Sequence, residues 1–591
     1  MGKNNKRLVC LWLLTCFCTV SLFAVGSCNN SHNTSADLVV MNANAFTSET
    51  VKPWVEAIAV KEKRFIFAGD NNGVLSYIGP NTRVIDAGGR MITPGFVDNH
   101  CHPLWMGAMM AMMADLYAVT DFEQFKAGVI RYANDNPRNP FVMAIGWKYD
   151  YLPNQALTKE FADTIIADRP LFLWAAIGHV GWVNSKAIEI MQAKNPKAFQ
   201  ELTPELDEQG MPTGVFHHFY AFNPFDYFSD GEFGSETREK MFQHMRTVLN
   251  EALKVGVTTM NDVQIYKSFI PTVLEFKQRG GLDNTRVRGS YYISHYASVD
   301  FESLKNDLTE WKNLGKENTD SHLMLGDSVK AYIDGISANF TTFMLEPFSN
   351  NPGIVGYALW TQEQFNTYAQ IVDSMGLQAL THGCGDAGIR RIINGYEYAI
   401  NVNGKCNARH RIEHMSLPHP DDWQRLADLN IHGAMQPSHF FGDKTLERAL
   451  GTERLNRMMP WRSLENIGAD ISFGSDWSAA PINPIFGLLI ATLRINYKGL
   501  IEWSPEEAIS LESAIRHYTI DSARGIFLEN DLGSIKVGKY GDFVMYNFNL
   551  LDLTVNNLLP TNQWNPVELV DFVEITVVDG NIVYQKPGAN L

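Results

Sequence analysis

Short apolar runs alternate with amphipathic stretches along the chain from residue 91 to about residue 530. The runs end on polar residues, and stretches with helical periodicity, such as Gln362–Ser374, Asp421–Leu429 and Glu507–Tyr518, lie between or after them. Eight such units favour an α/β fold built as a (β/α)8 TIM-type barrel over an open doubly wound sheet. The predicted strands are Met91–Asp98, Val257–Asp262, Arg286–Ile293, Ser328–Asp334, Leu377–His382, Arg409–His414, Ile431–Gln436 and Ile471–Asp476.

The interval between the first and second predicted strands, about residues 103–245, is too long for a loop. It contains strand-like runs of its own at Phe141–Trp147 and Leu171–Ile177. The sequence therefore predicts a subdomain that is inserted into a barrel spanning residues 91–530.

The two ends of the chain have a different pattern from its middle. Residues 37–90 and 531–591 contain short strand-like runs separated by turns. Neither segment is large enough to bury a core alone, so we expect the two ends to form one composite β-sandwich.

The first residues of the chain have the pattern of an export signal. Three basic residues precede the apolar run Leu8–Val25, which is too short for a comfortable membrane span. The run leads into Val-Gly-Ser-Cys, which resembles a bacterial lipobox with Cys28 as the lipidated residue; an ordinary signal peptide cleaved nearby is the alternative. The prediction is a signal peptide at residues 1–27, a polar tether at residues 28–36, and an exported lipoprotein of a bacterial cell envelope.

Charge and cysteine content argue against two classes of protein. The formal net charge of −16 at pH 7 argues against nucleic acid as a partner, because phosphate binding needs a basic surface. Outside the export segment only Cys101, Cys384 and Cys406 remain, so a disulfide framework is not expected. We expect contact with a membrane only through the lipid anchor.

Potential metal ligands stand at the ends of several predicted strands. His100 and His102 are two residues apart at a strand end, so both imidazoles would point to the same side, although this pair alone is a weak signal. His382, His414 and Asp476 end later strands, and the strand ends of a barrel converge on one mouth. The pattern predicts a metal centre at that mouth.

Six motifs of the sequence resemble the signature of the amidohydrolase superfamily, and most of all its family-3 branch of N-substituted formamide deformylase-like enzymes. The resemblance covers about residues 37–586, and it implies a metal-dependent hydrolase. The six motifs are Gly95–His102, Lys330–Gly335, Thr381–Asp386, Arg411–His414, Gln436–His439 and Gly474–Asp476.

The resemblance also implies a set of metal ligands. The centre would hold one or two divalent metal ions, with zinc as the expected metal. His100, His102 and Asp476 would bind one ion. His382 and His414 would bind the second ion.

Lys330 matches the lysine on the fourth strand of the family, which implies N6-carboxylation and a position that bridges the ions. The spacing alone would equally allow a salt-bridged lysine. Burial lowers the pKa of a lysine, and its neutral amine is nucleophilic enough to react with CO₂. Asp476 is the implied catalytic residue, which would take a proton from the metal-activated nucleophile and deliver it to the leaving nitrogen.

Three further residues are candidates for substrate binding. His179 and Trp182, in the insertion, resemble family positions that reach over the site, and His439 lies just past the seventh predicted strand. For His439 the alternative is a role in shaping the mouth. Glu413 precedes His414 and would point the other way on a strand, so we expect a structural group and not a ligand.

The predicted function is hydrolysis of a carbon–nitrogen bond, other than a peptide bond, in a small-molecule substrate. The same centre would allow hydrolysis of an ester, a lactone or an N-acyl amino acid. A surface lipoprotein that binds without turnover is the third interpretation. A homodimer is compatible with the sequence, which does not identify the substrate.

Overall fold

The computed structural model describes residues 35–589, apart from residues 152–156, 177–179, 218, 220–221, 229, 294–298, 338–339, 440–443, 496–503 and 553–571. The predicted signal peptide, Cys28 and most of the predicted tether therefore lie outside the described residues. Within the described part of the chain, no helix has the length and apolar character needed to span a membrane.

Eight parallel strands of the described chain form the barrel, and each is hydrogen-bonded to the next in chain order. The carboxyl end of the first strand is joined to the segment after the last strand, where Asp476 N donates to His100 O at 2.7 Å and His102 N donates to Trp477 O at 2.8 Å. The predicted TIM-type barrel is thus confirmed. The strands are Phe96–Cys101, Val257–Ile265, Arg286–Tyr292, Ser328–Tyr332, Gln378–Gly383, Arg411–His414, His432–Met435 and Ile471–Phe473.

Helices connect the barrel strands. The helix Gln362–Ser374 has the predicted bounds because a capping box fixes its start: Thr361 Oγ1 accepts from Gln364 N at 3.2 Å, and Gln364 Oε1 accepts from Thr361 N at 2.9 Å. The helices that follow the second and later strands are Ile270–Gln278, Phe301–Glu317, Gln362–Ser374, Asp386–Asn403, Pro420–Asp428, Lys444–Leu450, Thr452–Asn456, Trp461–Asn466, Pro484–Leu493, Leu511–His517 and Ile520–Gly525.

The segment between the first two barrel strands forms a subdomain with its own sheet. In sheet order its strands are Pro204–Leu206, Pro212–Phe216, Gly181–Val183, Leu171–Ala175, Val142–Trp147 and Ala114–Asp115. Its helices are Pro103–Met110, Phe122–Asp135, Lys159–Asp163, Ser185–Lys194, Pro196–Glu201 and Asp230–Lys254. The last helix packs against the first and returns the chain to the second barrel strand.

The two chain ends together form a β-sandwich, which confirms the predicted composite architecture. One sheet is made of Arg64–Gly69, Ala57–Lys61, Leu38–Met41 and Arg83–Asp86. The other combines strands from both ends, in the order Asn581–Gln585, Val573–Val578, Phe543–Tyr546, Met91–Pro94, Asn44–Phe46 and Trp54–Val55. The apolar core between them also contains residues from both ends, such as Ile58, Ile92, Phe543 and Ile575.

The predicted first strand, Met91–Asp98, is wrong as a single element. Met91–Pro94 belongs to the sandwich, where it pairs with Phe543–Tyr546, and the first barrel strand begins at Phe96. The chain changes sheets at Gly95, which passes so close to Thr258 that a Cβ atom would lie 2.3 Å from the Thr258 hydroxyl oxygen. A continuous apolar run therefore serves two sheets in succession.

Candidate metal centre

The mouth of the barrel brings the predicted ligands together around Asp476. The Asp476 Oδ1 atom lies 3.4 Å from His100 Nε2 and 3.1 Å from His102 Nε2. Its Oδ2 atom lies 4.0 Å from His414 Nδ1. One ligand atom each from His100, His414 and Asp476 lie within 4.8 Å of one another, which is close enough to share an ion.

His382 joins this cluster through the imidazole of His414. Their ring centroids are 4.4 Å apart, and those of His100 and His414 are 4.6 Å apart. His382 Nε2 also lies 3.5 Å from Cys384 Sγ and 3.7 Å from Asp334 Oδ1. The ends of the first, fifth, sixth and eighth barrel strands therefore contribute to one continuous group of donors.

Two of these residues have an unusual backbone. His414 has φ of 69° and Asp476 has φ of 56°, in the left-handed region that residues with a side chain rarely adopt. The alternation of side-chain directions along a strand therefore ends at these positions. Backbone strain of this kind concentrates at functional sites.

Glu413 orients His100. Its buried carboxylate accepts hydrogen bonds from Arg411 Nε at 2.7 Å and from Arg411 Nη2 at 2.8 Å, and it contacts His100 Nδ1. Burial alone would raise the pKa of Glu413, but the charges of Arg411 and His100 hold that pKa well below its usual range. The ionised carboxylate makes His100 Nδ1 the donor and leaves Nε2 available as a ligand.

Lys330 lies on the fourth barrel strand and is fully buried. Its Nζ atom has no hydrogen-bond partner among the described residues and lies 4.8 Å from the centroid of the Tyr332 ring. Burial lowers the pKa of Lys330 to about 8, although the carboxylates of Glu413 and Asp476 act in the opposite direction. A buried amine without a partner is costly unless another group completes it.

The eighth strand approaches the first closely enough to place Asp476 beside His100. A Cβ atom on Gly474 would lie 2.5 Å from His100 N and 2.8 Å from Asp98 Oδ1, so only glycine fits there. The neighbouring Ser475 is held by Asp98, whose Oδ1 accepts from Ser475 N at 2.9 Å. Gly474 and Asp98 thus set the spacing between the two ligand-bearing strand ends.

The residues present fit a divalent metal ion. His100 Nε2, His102 Nδ1 and Lys330 Nζ are buried and make no hydrogen bond within the described part of the chain. The donor set of imidazole nitrogens and a carboxylate is the one that zinc and similar ions prefer. Burial and the charges of His382 and His100 lower the pKa of His414 well below its usual value, so its imidazole is neutral and able to bind a metal.

A cavity of about 640 Å³ opens onto these ligands. Among the ligands, His102, His382, His414 and Asp476 form part of its lining. His439 also lines it: the Nε2 atom lies 3.3 Å from Asp476 Oδ2, and the ring stacks on that of His414 at 5.7 Å. The structure thus places His439 beside the centre, in contact with a ligand and exposed to the same cavity.

Trp182 is not among the described residues that line this cavity, so its position does not support the predicted role in substrate binding. Its side chain is fully buried within the inserted subdomain, where Nε1 donates to Thr158 O at 2.9 Å. The ring packs against Phe122 and Phe161, because strand Gly181–Val183 points it into the subdomain's own core. His179 lies outside the described residues.

Several residues of the cavity were not predicted from the sequence. Tyr332 lines it, stacks on the His382 ring at 4.7 Å, and donates its hydroxyl to Gln264 Oε1 at 2.8 Å. Its position two residues after Lys330 on the same strand was a usable signal, because such residues share a face. Trp105 and Trp174 belong to the insertion and had no comparable signal.

Comparisons with known proteins agree with this arrangement. The Amidohydrolase family matches residues 83–584. Protein LONG AFTER FAR-RED 3 of Arabidopsis thaliana is 28% identical over 528 residues, which cover 88% of this chain and 88% of that protein. N-substituted formamide deformylase of Arthrobacter pascens is 23% identical over 568 residues, which cover 94% of this chain and 99% of that protein.

A solved structure shares the fold. The crystal structure of an uncharacterized metal-dependent hydrolase from Pyrococcus furiosus matches with a TM-score of 0.68 and 23% sequence identity, over 87% of this chain and 100% of that one. The family match covers far more than half of the sequence. The chain therefore belongs to the amidohydrolase family.

Proposed function

We propose that the protein is a metal-dependent hydrolase of carbon–nitrogen bonds in non-peptide amides. The observation that carries the proposal is the convergence of four histidines, Asp476 and the buried Lys330, because four members of this set line one cavity. The similarity to a formamide deformylase supports the bond type. The ligand set proposed for one or two divalent ions, with zinc expected, is His100, His102, Lys330, His382, His414 and Asp476.

A divalent ion bound there would acidify a water molecule and polarise a carbonyl oxygen. The chain's own groups would prepare the site for it. Glu413 fixes the tautomer and direction of His100, and Gly474 allows Asp476 to approach. The donors share the cavity with apolar side chains such as Trp105 and Leu417, which would limit the access of bulk water to the reacting amide.

Asp476 is the proposed proton carrier. Burial would raise the pKa of Asp476, but His100, His102 and His414 hold it well below its usual range, so the carboxylate is ionised before reaction. Its Oδ2 atom, which lies 3.3 Å from Nε2 of the cavity residue His439, would accept a proton from the attacking water. The same atom would then release that proton to the leaving nitrogen.

Lys330 is proposed to be carboxylated on Nζ. The supporting observations are its complete burial and the absence of a hydrogen-bond partner for Nζ in the described chain. Carboxylation would add two oxygen atoms that can bind a metal ion, whereas the amine itself provides no oxygen ligand. Loss of activity in Lys330→Ala, with partial rescue by small carboxylic acids, is the expected behaviour.

The test combines metal analysis with turnover of a library of N-formyl, N-acyl and cyclic amides. His100→Ala and His382→Ala should lower the bound metal, whereas His244→Ala, which removes an exposed histidine on the helix Asp230–Lys254, should not. Asp476→Asn should abolish turnover in protein that remains folded. Unchanged metal content in both ligand variants, or near-normal kcat in Asp476→Asn, would contradict the proposal.

A further inference from the structure

One wall of the catalytic cavity is aromatic and apolar, and the inserted subdomain and its first helix provide it. Trp105 and Met106 come from the helix Pro103–Met110. Ile145 and Trp174 come from two strands of the subdomain sheet, and Tyr117 lies just after its strand Ala114–Asp115. The Trp105 and Trp174 rings meet edge to face at 6.3 Å, so they form a continuous surface.

A second part of the lining is also apolar. It includes Ile336, Leu417, Leu446, Leu450, Met458 and Met459, from the segments after the fourth, sixth and seventh strands. Apart from the histidines and Asp476, the polar residues of the described lining are neutral: a glutamine, two tyrosines, a cysteine and three serines. At about 640 Å³ the cavity has room for a ligand far larger than a simple formamide or acetamide.

No lysine or arginine side chain is among the described residues that line the cavity. After residue 34, Lys444 and Lys498 are the two residues of the lysine and arginine type whose side chains the structure does not describe. Away from the histidine cluster, a substrate carboxylate held against these walls would meet no lysine or arginine among the described residues. Burial of an unpaired carboxylate is strongly unfavourable.

We infer that the substrate is an uncharged amide that carries a ring or a comparably bulky apolar group. Substrates with a free carboxylate beside the scissile amide, such as N-acyl amino acids, are excluded by the walls. This inference rests on the proposed function and deepens it, because the scissile carbonyl must lie at the histidine cluster. Any other group of the substrate then faces the apolar lining.

The test uses four compounds that differ in one feature each. N-acetylphenylalanine, as both enantiomers, and N-acetylphenylalaninamide have the same size and differ in charge. N-(2-phenylethyl)acetamide lacks the extra group, and N-methylacetamide also lacks the ring. The specificity constant kcat/KM is measured for each, and equilibrium binding is measured by calorimetry on the metal-loaded wild-type protein.

The uncharged ring compounds should exceed N-acetylphenylalanine by about 100-fold or more in kcat/KM or in affinity, and they should also exceed N-methylacetamide. Ile145→Lys, or Met106→Lys if the first variant does not fold, should reduce the discrimination against the carboxylate at least tenfold. Both positions are partly exposed to the cavity. Val51→Lys, at a position that is 96% exposed on the sandwich, is the control and should change nothing.

Comparable use of N-acetylphenylalanine and its carboxamide by the wild-type protein would overturn the inference. Loss of acid binding in Lys444→Ala or Lys498→Ala would also overturn it, because a basic side chain would then face the substrate. If none of the compounds is hydrolysed but the neutral ring compounds bind selectively, the proposed function fails and the inference about the cavity stands. If none binds, the inference fails.

Discussion

At the scale of single residues, replacement of Glu413 tests whether its contact orients His100 as a metal ligand. Glu413→Gln keeps the size of the side chain but presents an amide to the Arg411 and His100 donors. We expect metal affinity to fall about 10- to 100-fold, as is typical when a group that orients a ligand is lost. A competition titration with a chelator measures this affinity.

The matched control is Glu397→Gln, which removes a carboxylate that pairs with Arg425 and whose side chain is 44% exposed. Surface pairs of this kind contribute about 0–1 kcal/mol, so neither the affinity nor the melting temperature should change measurably. Equal metal affinity in Glu413→Gln and the wild-type protein would show that the Glu413–His100 contact does not orient the ligand.

Some residues of the candidate metal centre can be predicted from the sequence, and the contacts of others cannot. Histidines at strand ends were recognised because barrel geometry brings such ends together. Strand alternation predicts that Glu413 points away from His414. It does not predict that Glu413 contacts His100. The left-handed backbone of His414 turns its side chain toward the mouth, while Glu413 stays inside the barrel and reaches His100.

Elements were predictable where local signals define them. The helix Gln362–Ser374 carries its own capping box, and the barrel strands are apolar runs of ordinary length. The division of Met91–Asp98 between two sheets was not predictable, because both sheets bury apolar side chains and the run continues across Gly95. The burial of Trp182 likewise depends on packing within the insertion and not on its local sequence.

The joint between the barrel and the sandwich depends on a buried charge network. Arg286, on the third barrel strand, contacts Asp542 and Asp579 of the sandwich, and His322 Nε2 lies 3.1 Å from Asp579 Oδ2. The Arg286 guanidinium also lies 4.4 Å from the centroid of the Tyr540 ring. A single cation therefore connects two elements that are more than 250 positions apart in the sequence.

Removal of this cation should destabilise the whole joint. Arg286→Met removes the cation that contacts the buried carboxylate of Asp542 and one of the partners of Asp579, which we expect to cost about 3–5 kcal/mol of unfolding free energy. Denaturant titration measures the loss, with Arg83→Met at an exposed sandwich position as the control. A loss below about 1 kcal/mol, the level of a surface pair, would contradict this interpretation of the network.

The network also predicts a pH dependence. Burial would raise the pKa of Asp579, but the hydrogen bond from His322 and the charge of Arg286 lower it to about 2. A carboxylate with a depressed pKa contributes stability above its unfolded pKa, and that contribution is lost as the pH falls toward the folded value. Burial keeps the pKa of Asp542 above its usual value even beside Arg286, so the share of Asp542 in the difference between the wild-type protein and Arg286→Met is lost first as the pH falls. The share of Asp579 should be lost between about pH 4 and pH 2.

At the scale of the whole molecule, metal binding should be coupled to folding. The donors lie on the first, fourth, fifth, sixth and eighth strands, so an unfolded chain does not present them together. A ligand that binds only the folded state stabilises it by about 2.7 kcal/mol at a free concentration 100 times its Kd. Zinc at that excess should raise the melting temperature of metal-stripped wild-type protein, and subsequent chelation should reverse the rise. The rise should nearly vanish in His100→Ala and persist in His244→Ala, and an equal rise in all three proteins would place the stabilising ion elsewhere on the molecule.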